Sequence, residues 1–265
     1  MTTAFSARAF RFRALHAGPD LLRLANAWDV GSARLIESVG APAIATTSAG
    51  VAWSLGHPDG DALPLFQHLN VVKAIAAAVK LPVTVDIEDG YSADPKEVGA
   101  AVGRFAAAGA VGINIEDGAG TAEALAAKIK AARRPDLFIN ARCDVWLRAL
   151  APGDEHAETM RRAALYAAAG ADCIFVPGVT DRDAIARLAT EIQAQFGLPL
   201  NVLARDGLPD TATLAAMGVR RLSAGSGIAQ AAFGLARSLA QDFLTGDGSN
   251  VRATMTYAEI NSLMG

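Results

Sequence analysis

The segment Val83-Thr-Val-Asp-Ile-Glu-Asp-Gly-Tyr91 carries the strongest signal for the fold that we predict for this chain. Its β-branched residues favour a strand, and a helical pattern follows at about 94–108, with Pro95 in its first turn. Alternate side chains of a strand share a face, so we expect Asp86 and Glu88 to point together and Ile87 to point away. Carboxylates placed in this way suit a hard cation such as Mg²⁺.

The same strand–helix unit recurs along the chain. Strands are predicted at 21–25, 42–46, 82–87, 111–115, 137–141, 173–176, 200–203 and 219–223. Helices are predicted at about 30–39, 66–79, 94–108, 121–133, 154–169, 181–196, 209–217 and 228–243, with a further C-terminal helix at 255–263. Residues 48–64 show no clear periodicity, and we interpret them as a long functional connection.

Eight strand–helix units predict a closed (β/α)₈ TIM barrel followed by an additional C-terminal helix. An open, doubly wound sheet is the alternative, but no glycine-rich dinucleotide fingerprint follows the first strand. No linker divides the chain, so we expect one barrel domain over residues 1–265.

Composition excludes several classes of function. With 24 basic and 27 acidic residues, the net charge of −3 offers no basic surface for nucleic acid. No apolar run is long enough to span a membrane. Cys143 and Cys173 lie in apolar, strand-like runs, which indicates reduced core thiols and a cytoplasmic protein. The arginine-rich N-terminus lacks an apolar core, and we expect a docked helix there instead of a secretion signal.

Polar residues collect where the predicted strands end, which is the catalytic end of such a barrel. Asn114 and Glu116 alternate along one strand, and Asn140, Arg142 and Asp144 alternate along the next. Like charges about 5 Å apart repel by roughly 3 kcal/mol at an effective dielectric of 20, so carboxylates converging on one pocket raise one another's pKa or need a cation. All-oxygen ligands favour Mg²⁺, with Mn²⁺ as the alternative, and no His or Cys stands at a zinc-like spacing.

Several of these residues have two interpretations. Arg142 suits a substrate carboxylate, or it forms a salt bridge to Glu116 or Asp144. Asp89 and Asp117 suit helix N-termini or surface ion pairs. Asp59 lies in the long connection, where an aspartate is often only a solvated turn residue. The segment Gly225-Ser-Gly227 resembles a phosphate cradle, but with no other phosphate-binding feature in the sequence we interpret it as a plain tight turn.

The chain resembles the isocitrate lyase/phosphoenolpyruvate mutase superfamily, in its short, mutase-like branch. The resemblance runs from about residue 24 to 178 and rests on the order of five motifs. These are Asn26-Ala-Trp-Asp29, Thr47-Ser-Ala-Gly50 followed by Leu55-Gly-His-Pro-Asp59, Asp86-Ile-Glu-Asp-Gly-Tyr91, Asn114-Ile-Glu-Asp117 and Asn140-Ala-Arg142.

The resemblance implies roles for these positions. Asp86 corresponds to the direct Mg²⁺ ligand, and Glu88 and Glu116 correspond to acids that hold the ion through water. Asp59 corresponds to the aspartate of a gating loop. We expect Asp59, Tyr91 and Arg142 to be catalytic. Substrate contacts are expected from Trp28, Thr47, Ser48, Ala49, Asp86, Asn114 and Arg142.

The family also implies a homo-oligomer, a dimer or a dimer of dimers, in which the last helix is exchanged between subunits. The chain departs from the family after Glu116, where the lyases carry a Lys-Lys-Cys-Gly-His loop whose cysteine is the acid/base. The mutases also have a longer loop there, and Pro177 replaces a family histidine.

Three functional hypotheses follow. The first is a Mg²⁺-dependent lyase that cleaves a C–C bond of a small 2-oxo or 2-hydroxy carboxylic acid through an enolate, similar to 2-methylisocitrate lyase or oxaloacetate decarboxylase. The second is P–C bond chemistry of the phosphonomutase type on a phosphonopyruvate-like substrate. The third is a non-catalytic protein that binds a 2-oxo acid.

Overall fold

The fold is a barrel of parallel strands alternating with helices, in a computed structural model that describes residues 3–60, 62–246 and 253–265. The strands are β1 (Leu22–Leu24), β2 (Asn26–Ala27), β3 (Ile44–Thr46), β4 (Val83–Asp86), β5 (Gly112–Glu116), β6 (Phe138–Arg142), β7 (Cys173–Val176), β8 (Leu200–Leu203) and β9 (Val219–Ser223). The helices are α1 (Thr3–Ala17), α2 (Val30–Ser38), α3 (Ser48–Ser54), α4 (Leu65–Ala78), α5 (Pro95–Ala107), α6 (Ala122–Ala132), α7 (Glu155–Ala169), α8 (Arg182–Phe196), α9 (Thr211–Ala216), α10 (Gly227–Thr245) and α11 (Tyr257–Met264).

The predicted (β/α)₈ barrel is confirmed, with one refinement in its first strand. That strand is split at Ala25 into β1, which pairs with β9, and β2, which pairs with β3. All neighbouring strands are parallel, so their carboxyl ends meet at one rim. The acids and amides predicted at the strand ends therefore lie around a common mouth.

The expected docked helix at the N-terminus is confirmed as α1, which closes the opposite end of the barrel. Phe12 is fully buried and packs edge-on against Phe138, with ring centroids 5.4 Å apart. His16 stacks on the same ring at 4.1 Å. Arg13 anchors the helix through Asp172, at 2.5 Å. The mouth at the carboxyl ends of the strands is thus the end left for a ligand.

The interpretation of residues 48–64 as a connection without structure is wrong at its start, because Ser48–Ser54 forms α3. Thr47 is its N-cap, and its Oγ1 accepts a hydrogen bond from the Gly50 amide at 3.5 Å. A Cβ at Gly50 would lie only 2.9 Å from Trp28 Cβ, so packing requires glycine inside this helix. A helix of two turns with an internal glycine gives almost no periodic signal.

The two C-terminal helices lie at the surface. In α10 only Ala229 is buried, while four large apolar side chains of α10 are at least 43% exposed: Phe233, Leu235, Phe243 and Leu244. Helix α11 contacts α2, where Arg34 Nη1 donates to the Leu263 carbonyl at 2.9 Å. The polar residues 247–252 before α11 lie outside the described residues. No described helix is both long enough and apolar enough to span a lipid bilayer.

Candidate active site

Strand register places the predicted site residues in two levels at the mouth. Asp86 of β4 lies beside Asn114 of β5, which lies beside Asn140 of β6. One level nearer the rim, Glu116 lies beside Arg142. Side chains at matching positions of parallel neighbours point the same way, so both levels face the barrel axis.

Asp86 is a carboxylate without a cationic partner in the part of the chain that the structure describes. Its Oδ1 accepts a hydrogen bond from the Glu88 amide at 3.3 Å. Burial raises the pKa of Asp86, the charge of Arg142 lowers it, and the charges of Asp59 and Asp144 raise it further. The ionised form of Asp86 is therefore disfavoured until a cation approaches.

Arg142 pairs with both of its predicted alternative partners. Nη1 lies 2.5 Å from Glu116 Oε2, while Nε and Nη2 lie 2.6 and 3.0 Å from the two oxygens of Asp144. Burial raises the pKa of Glu116 to about 8 even though the charge of Arg142 opposes that rise. Nε and Nη2 each donate one hydrogen bond to Asp144, and Nη1 forms an ion pair with Glu116, so one N–H each on Nη1 and Nη2 has no partner among the described residues.

A buried network, here called the brace, supports Arg142; it consists of Asp144, Asp117, Arg162 and Tyr166. Asp144 is fully buried and also accepts from Arg148 Nε at 3.0 Å. The Asp144 amide donates to Asp117 Oδ1 at 2.8 Å, and Asp117 Oδ2 accepts from Arg162 and from the Tyr166 hydroxyl. Asp117 thus holds the backbone of the next strand instead of facing the mouth. Of the two roles predicted for Asp117, a helix cap or a surface ion pair, the structure shows an ion pair with Arg162, but the pair is buried instead of lying at the surface.

The turn after β4 holds two non-glycine residues at positive φ, Glu88 at 54° and Tyr91 at 69°. Lys128 Nζ fastens this turn by donating to both the carbonyl and the carboxylate of Asp89, at 2.8 and 2.9 Å. Because β4 ends at Asp86, the strand alternation that predicts the orientation of Glu88 does not extend to it. Glu88 is nevertheless buried, and its carbonyl accepts from the Glu116 amide at 2.9 Å.

The remaining predicted residues separate into two groups. Thr47, Ser48 and Ala49 are buried where α3 begins, after β3. Asp59 lies in the exposed segment after α3, close enough for its charge to act on Asp86. By contrast, the Tyr91 hydroxyl lies 2.6 Å from His68 Nδ1, and Trp28 packs against Val51, Ala52 and Leu63.

Two arginines of the region are not among the residues predicted for the site. Arg148 pairs with Asp144, and no sequence pattern marks it. Arg221 of β9 is fully buried inside the barrel, and the signal for it is a basic residue within the run Val-Arg-Arg-Leu-Ser. Because Arg220 and Arg221 are adjacent, the sequence does not show which of them points into the barrel until the strand register is known.

The donors at the mouth suit a hard divalent cation. No three His, Cys, Asp or Glu side chains among the described residues lie together as a complete metal cage. Mg²⁺ does not require such a cage, because proteins commonly bind it through one or two carboxylates while it keeps several waters. Asp86 supplies a carboxylate without a cationic partner among the described residues, and Glu116 lies one level above it. Asp86 and Glu116 are therefore compatible with a Mg²⁺ site in which one carboxylate binds the ion directly and other acids bind it through water.

Fold and rim together define an α/β-barrel with an acid-lined mouth at the carboxyl ends of its strands. The family model described as phosphoenolpyruvate phosphomutase matches residues 12–244, and the chain belongs to this family. The predicted relationship to the isocitrate lyase/phosphoenolpyruvate mutase superfamily is thereby confirmed.

Individual relatives differ in their named activities. An uncharacterized protein of Mycobacterium tuberculosis is 39% identical over 251 residues, covering 90% of each chain. An oxaloacetate decarboxylase of Rhodopseudomonas palustris is 31% identical and covers 74% of this chain and 72% of its own. The crystal structure of a phosphonopyruvate hydrolase in complex with oxalate and Mg²⁺ is 25% identical, with a TM-score of 0.82, and covers 97% of this chain and 95% of its own.

Proposed function

We propose that this protein is a Mg²⁺-dependent carbon–carbon lyase that acts on a small 2-oxo or 2-hydroxy carboxylic acid. The observation that carries this proposal is Asp86, a partly buried carboxylate that forms no ion pair with a described residue and that feels the charges of Asp59 and Asp144 as well as that of Arg142. The named activity of the R. palustris relative and the Mg²⁺ of the phosphonopyruvate hydrolase complex support it.

The acids of the mouth would hold the metal. Asp86 is the proposed direct ligand, and Glu88 and Glu116 hold the ion through water; Mn²⁺ is the alternative metal. When bound, the ion supplies electrostatic stabilisation for the negative charge that develops on an enolate. Glu116 is then ionised, which keeps it paired with Arg142.

The substrate would lie between α3 and the strand ends. In this proposal its carboxylate meets the backbone and hydroxyl groups of Thr47, Ser48 and Ala49, and Trp28 packs behind them. The two unengaged N–H groups of Arg142 donate to a second oxygen. The Asn114 side-chain amide, in register with Asp86, donates to a substrate oxygen from the barrel side of the mouth.

The connection between β5 and α6 favours decarboxylation within this class. It consists only of residues 117–121, and the cysteine loop of the isocitrate-cleaving enzymes is absent from it. When a carboxylate leaves as CO₂, the C–C electron pair passes into the enolate, and only the enolate carbon needs a proton. Asp59 is the proposed source of that proton, directly or through water, while Tyr91 is proposed to act on the site through its contact with His68.

The test is an assay of 2-oxo acids and 2-hydroxy diacids, oxaloacetate included, with Mg²⁺ and detection of pyruvate, glyoxylate and CO₂. We expect turnover that EDTA abolishes, that Mg²⁺ restores, and that is absent from Asp86→Asn. The exposed substitution Asp20→Asn, at the other end of the barrel, serves as the control. If the whole panel shows no EDTA-sensitive product, the lyase proposal is wrong.

Phosphonomutase-type P–C chemistry is a second candidate, favoured by the description of the family model. Phosphorus NMR of phosphonopyruvate with the protein and Mg²⁺ distinguishes it from the lyase. A purely binding role is the third candidate. Thermal stabilisation by Mg²⁺ and a 2-oxo acid without any product would favour that role.

We also propose that the protein is a homo-oligomer, as is typical of its superfamily. The exposed apolar side chains of α10 support this, because several large apolar side chains exposed on one helix are typical of a surface that another protein covers. A second copy of the chain is the proposed partner, as a dimer or a dimer of dimers.

A further inference from the structure

Inside the barrel, below the proposed metal site, lies an arginine with no carboxylate partner among the described residues. Arg221 of β9 is fully buried. Its Nε donates to Ser223 Oγ at 3.2 Å, and its Nη2 donates to Asn114 Oδ1 at 3.1 Å. Its Nη1 has no hydrogen-bond partner in the described structure. Burying a charge with so few partners is costly, so this arginine requires a functional reason.

Asn114 connects Arg221 to the mouth. Its Oδ1 accepts two hydrogen bonds, one from Arg221 and one from Asn140 Nδ2 at 2.9 Å. A guanidinium has only donors, so the Asn114 atom that faces it must be the oxygen. The two contacts therefore fix which way round the Asn114 amide is oriented.

The opposite end of this amide is left for a ligand. Asn114 Nδ2 makes no hydrogen bond to any described residue and is not one of the buried polar atoms without a partner. Asn114 is 4% exposed and lies in register with Asp86, the proposed metal ligand. Turning the amide round would place a carbonyl oxygen beside the ligand and a nitrogen against Arg221.

We propose that Arg221 is a positioning residue that, together with Asn140, locks the Asn114 amide so that its Nδ2 donates to an oxygen of the bound 2-oxo acid. This inference rests on the proposed function, because it assigns the ligand of the same mouth. It assigns the arginine a role through Asn114, not a contact with substrate. Ser223 supports the arrangement because it holds the guanidinium plane and passes a hydrogen bond to Asn201 at 3.3 Å.

The direct test is a double-mutant cycle on ligand affinity. Oxalate with Mg²⁺ is the probe, because oxalate presents a carboxylate next to a second oxygen, as the enolate of a 2-oxo acid does. Isothermal titration compares the wild type with Arg221→Met, Asn114→Ala and the double variant. We expect each single variant to bind about tenfold more weakly, the loss of one good hydrogen bond, and the double variant to bind no more weakly than Asn114→Ala.

A second cycle uses Asn140→Ala, which removes the other donor and leaves the arginine in place. It keeps the test valid if Arg221→Met does not fold, as judged by near-UV circular dichroism. Here too we expect about tenfold weaker binding that disappears in the Asn114→Ala background. A merely structural role of Arg221 or Asn140 would weaken binding to a similar extent with or without Asn114.

The outcomes separate the two proposals. Wild-type protein that does not bind Mg²⁺–oxalate overturns the proposed function and this inference with it. Binding that is lost in Asp86→Asn but unchanged by both cycles retains the metal site and overturns the positioning role alone. A loss of oxalate affinity that persists in the Asn114→Ala background also overturns the positioning role, since Arg221 would then act by its charge and not through the amide.

Discussion

Arg142 grips Asp144 with two parallel hydrogen bonds, from Nε at 2.6 Å and from Nη2 at 3.0 Å, and the Asp144 side chain is fully buried. The pair holds the guanidinium at the mouth, with Glu116 on its third side. Arg148 pairs with the same carboxylate, so Asp144 forms ion pairs with two arginines at once.

Replacing Asp144 by Asn should therefore be strongly destabilising. Removing one partner of a buried ion pair typically costs about 3–5 kcal/mol, because the other charge is left uncompensated. Urea denaturation at neutral pH measures the change. The control is Glu123→Gln, which breaks an exposed pair with Arg161 and should cost far less, because water screens an exposed ion pair. Equal losses for the two variants would contradict the proposed brace.

Replacing Asp86 by Asn should stabilise the metal-free protein. Burial and the charges of Asp59 and Asp144 raise the pKa of Asp86 against the opposing charge of Arg142, so its ionised form opposes folding at neutral pH, and we expect a gain in stability. The same variant should lose any rise in melting temperature on addition of Mg²⁺. Asp20→Asn should match the wild type in both measurements. A destabilised Asp86→Asn that still responds to Mg²⁺ would contradict this account.

Acid should weaken the fold through His16. Burial, and then the charge of Arg221, lower the pKa of His16 from 6.5 to about 3. Below about pH 6.5 the unfolded chain takes up a proton on His16, whereas the folded chain does so only near pH 3. The His16 contribution is therefore complete above about pH 6.5 and falls progressively towards about pH 3.

At about pH 5 this loss amounts to roughly 2 kcal/mol. His16→Gln keeps a donor for the Phe12 carbonyl, which the histidine contacts at 2.9 Å, but does not titrate. Denaturant unfolding at several pH values should show a shallower decline for this variant. Parallel pH profiles for the wild type and the variant would contradict the assignment.

Self-association should depend on α10. Light scattering after gel filtration should give a multiple of the chain mass of 27.3 kDa. The double substitution Phe233→Glu with Leu244→Glu should give the single-chain mass, because it places charges on the exposed apolar face. Val39→Lys, at a residue that is 83% exposed outside α10, is the control and should leave the mass unchanged. A monomeric wild type would refute the proposed oligomer.

The barrel is predictable from sequence because each strand is a short apolar run followed by an amphipathic helix. The register then follows from closure, and it brings Asp86, Asn114, Glu116 and Arg142 to one rim. Helix α3 is not predicted because Gly50 suggests a turn. The structure shows another reason for this glycine, since Gly50 lies so close to Trp28 that no side chain fits between them. Such contacts join residues far apart in sequence and leave no local pattern.

The sequence predicts which charged residues lie at the mouth, but it predicts less well which of them form ion pairs with one another. Strand alternation brings Arg142 near Glu116 and Asp144 without deciding between them, and the structure pairs it with both. Tyr91 follows the acid motif, but the positive φ at Glu88 and Tyr91 ends the strand alternation, and the Tyr91 hydroxyl contacts His68. Backbone conformation in a turn of this kind is set by tertiary contacts such as that of Lys128 with Asp89.

We propose that the acids of the mouth hold one divalent cation together with a 2-oxo carboxylate, and Mn²⁺ electron paramagnetic resonance measures this binding. Titration of the wild type should show a single bound Mn²⁺ that Mg²⁺ displaces and whose spectrum changes when oxalate is added. Asp86→Asn should bind no Mn²⁺ at the same concentrations, while Asp20→Asn should bind it normally. Equal binding by the wild type and Asp86→Asn, or no binding by the wild type, would contradict the claim.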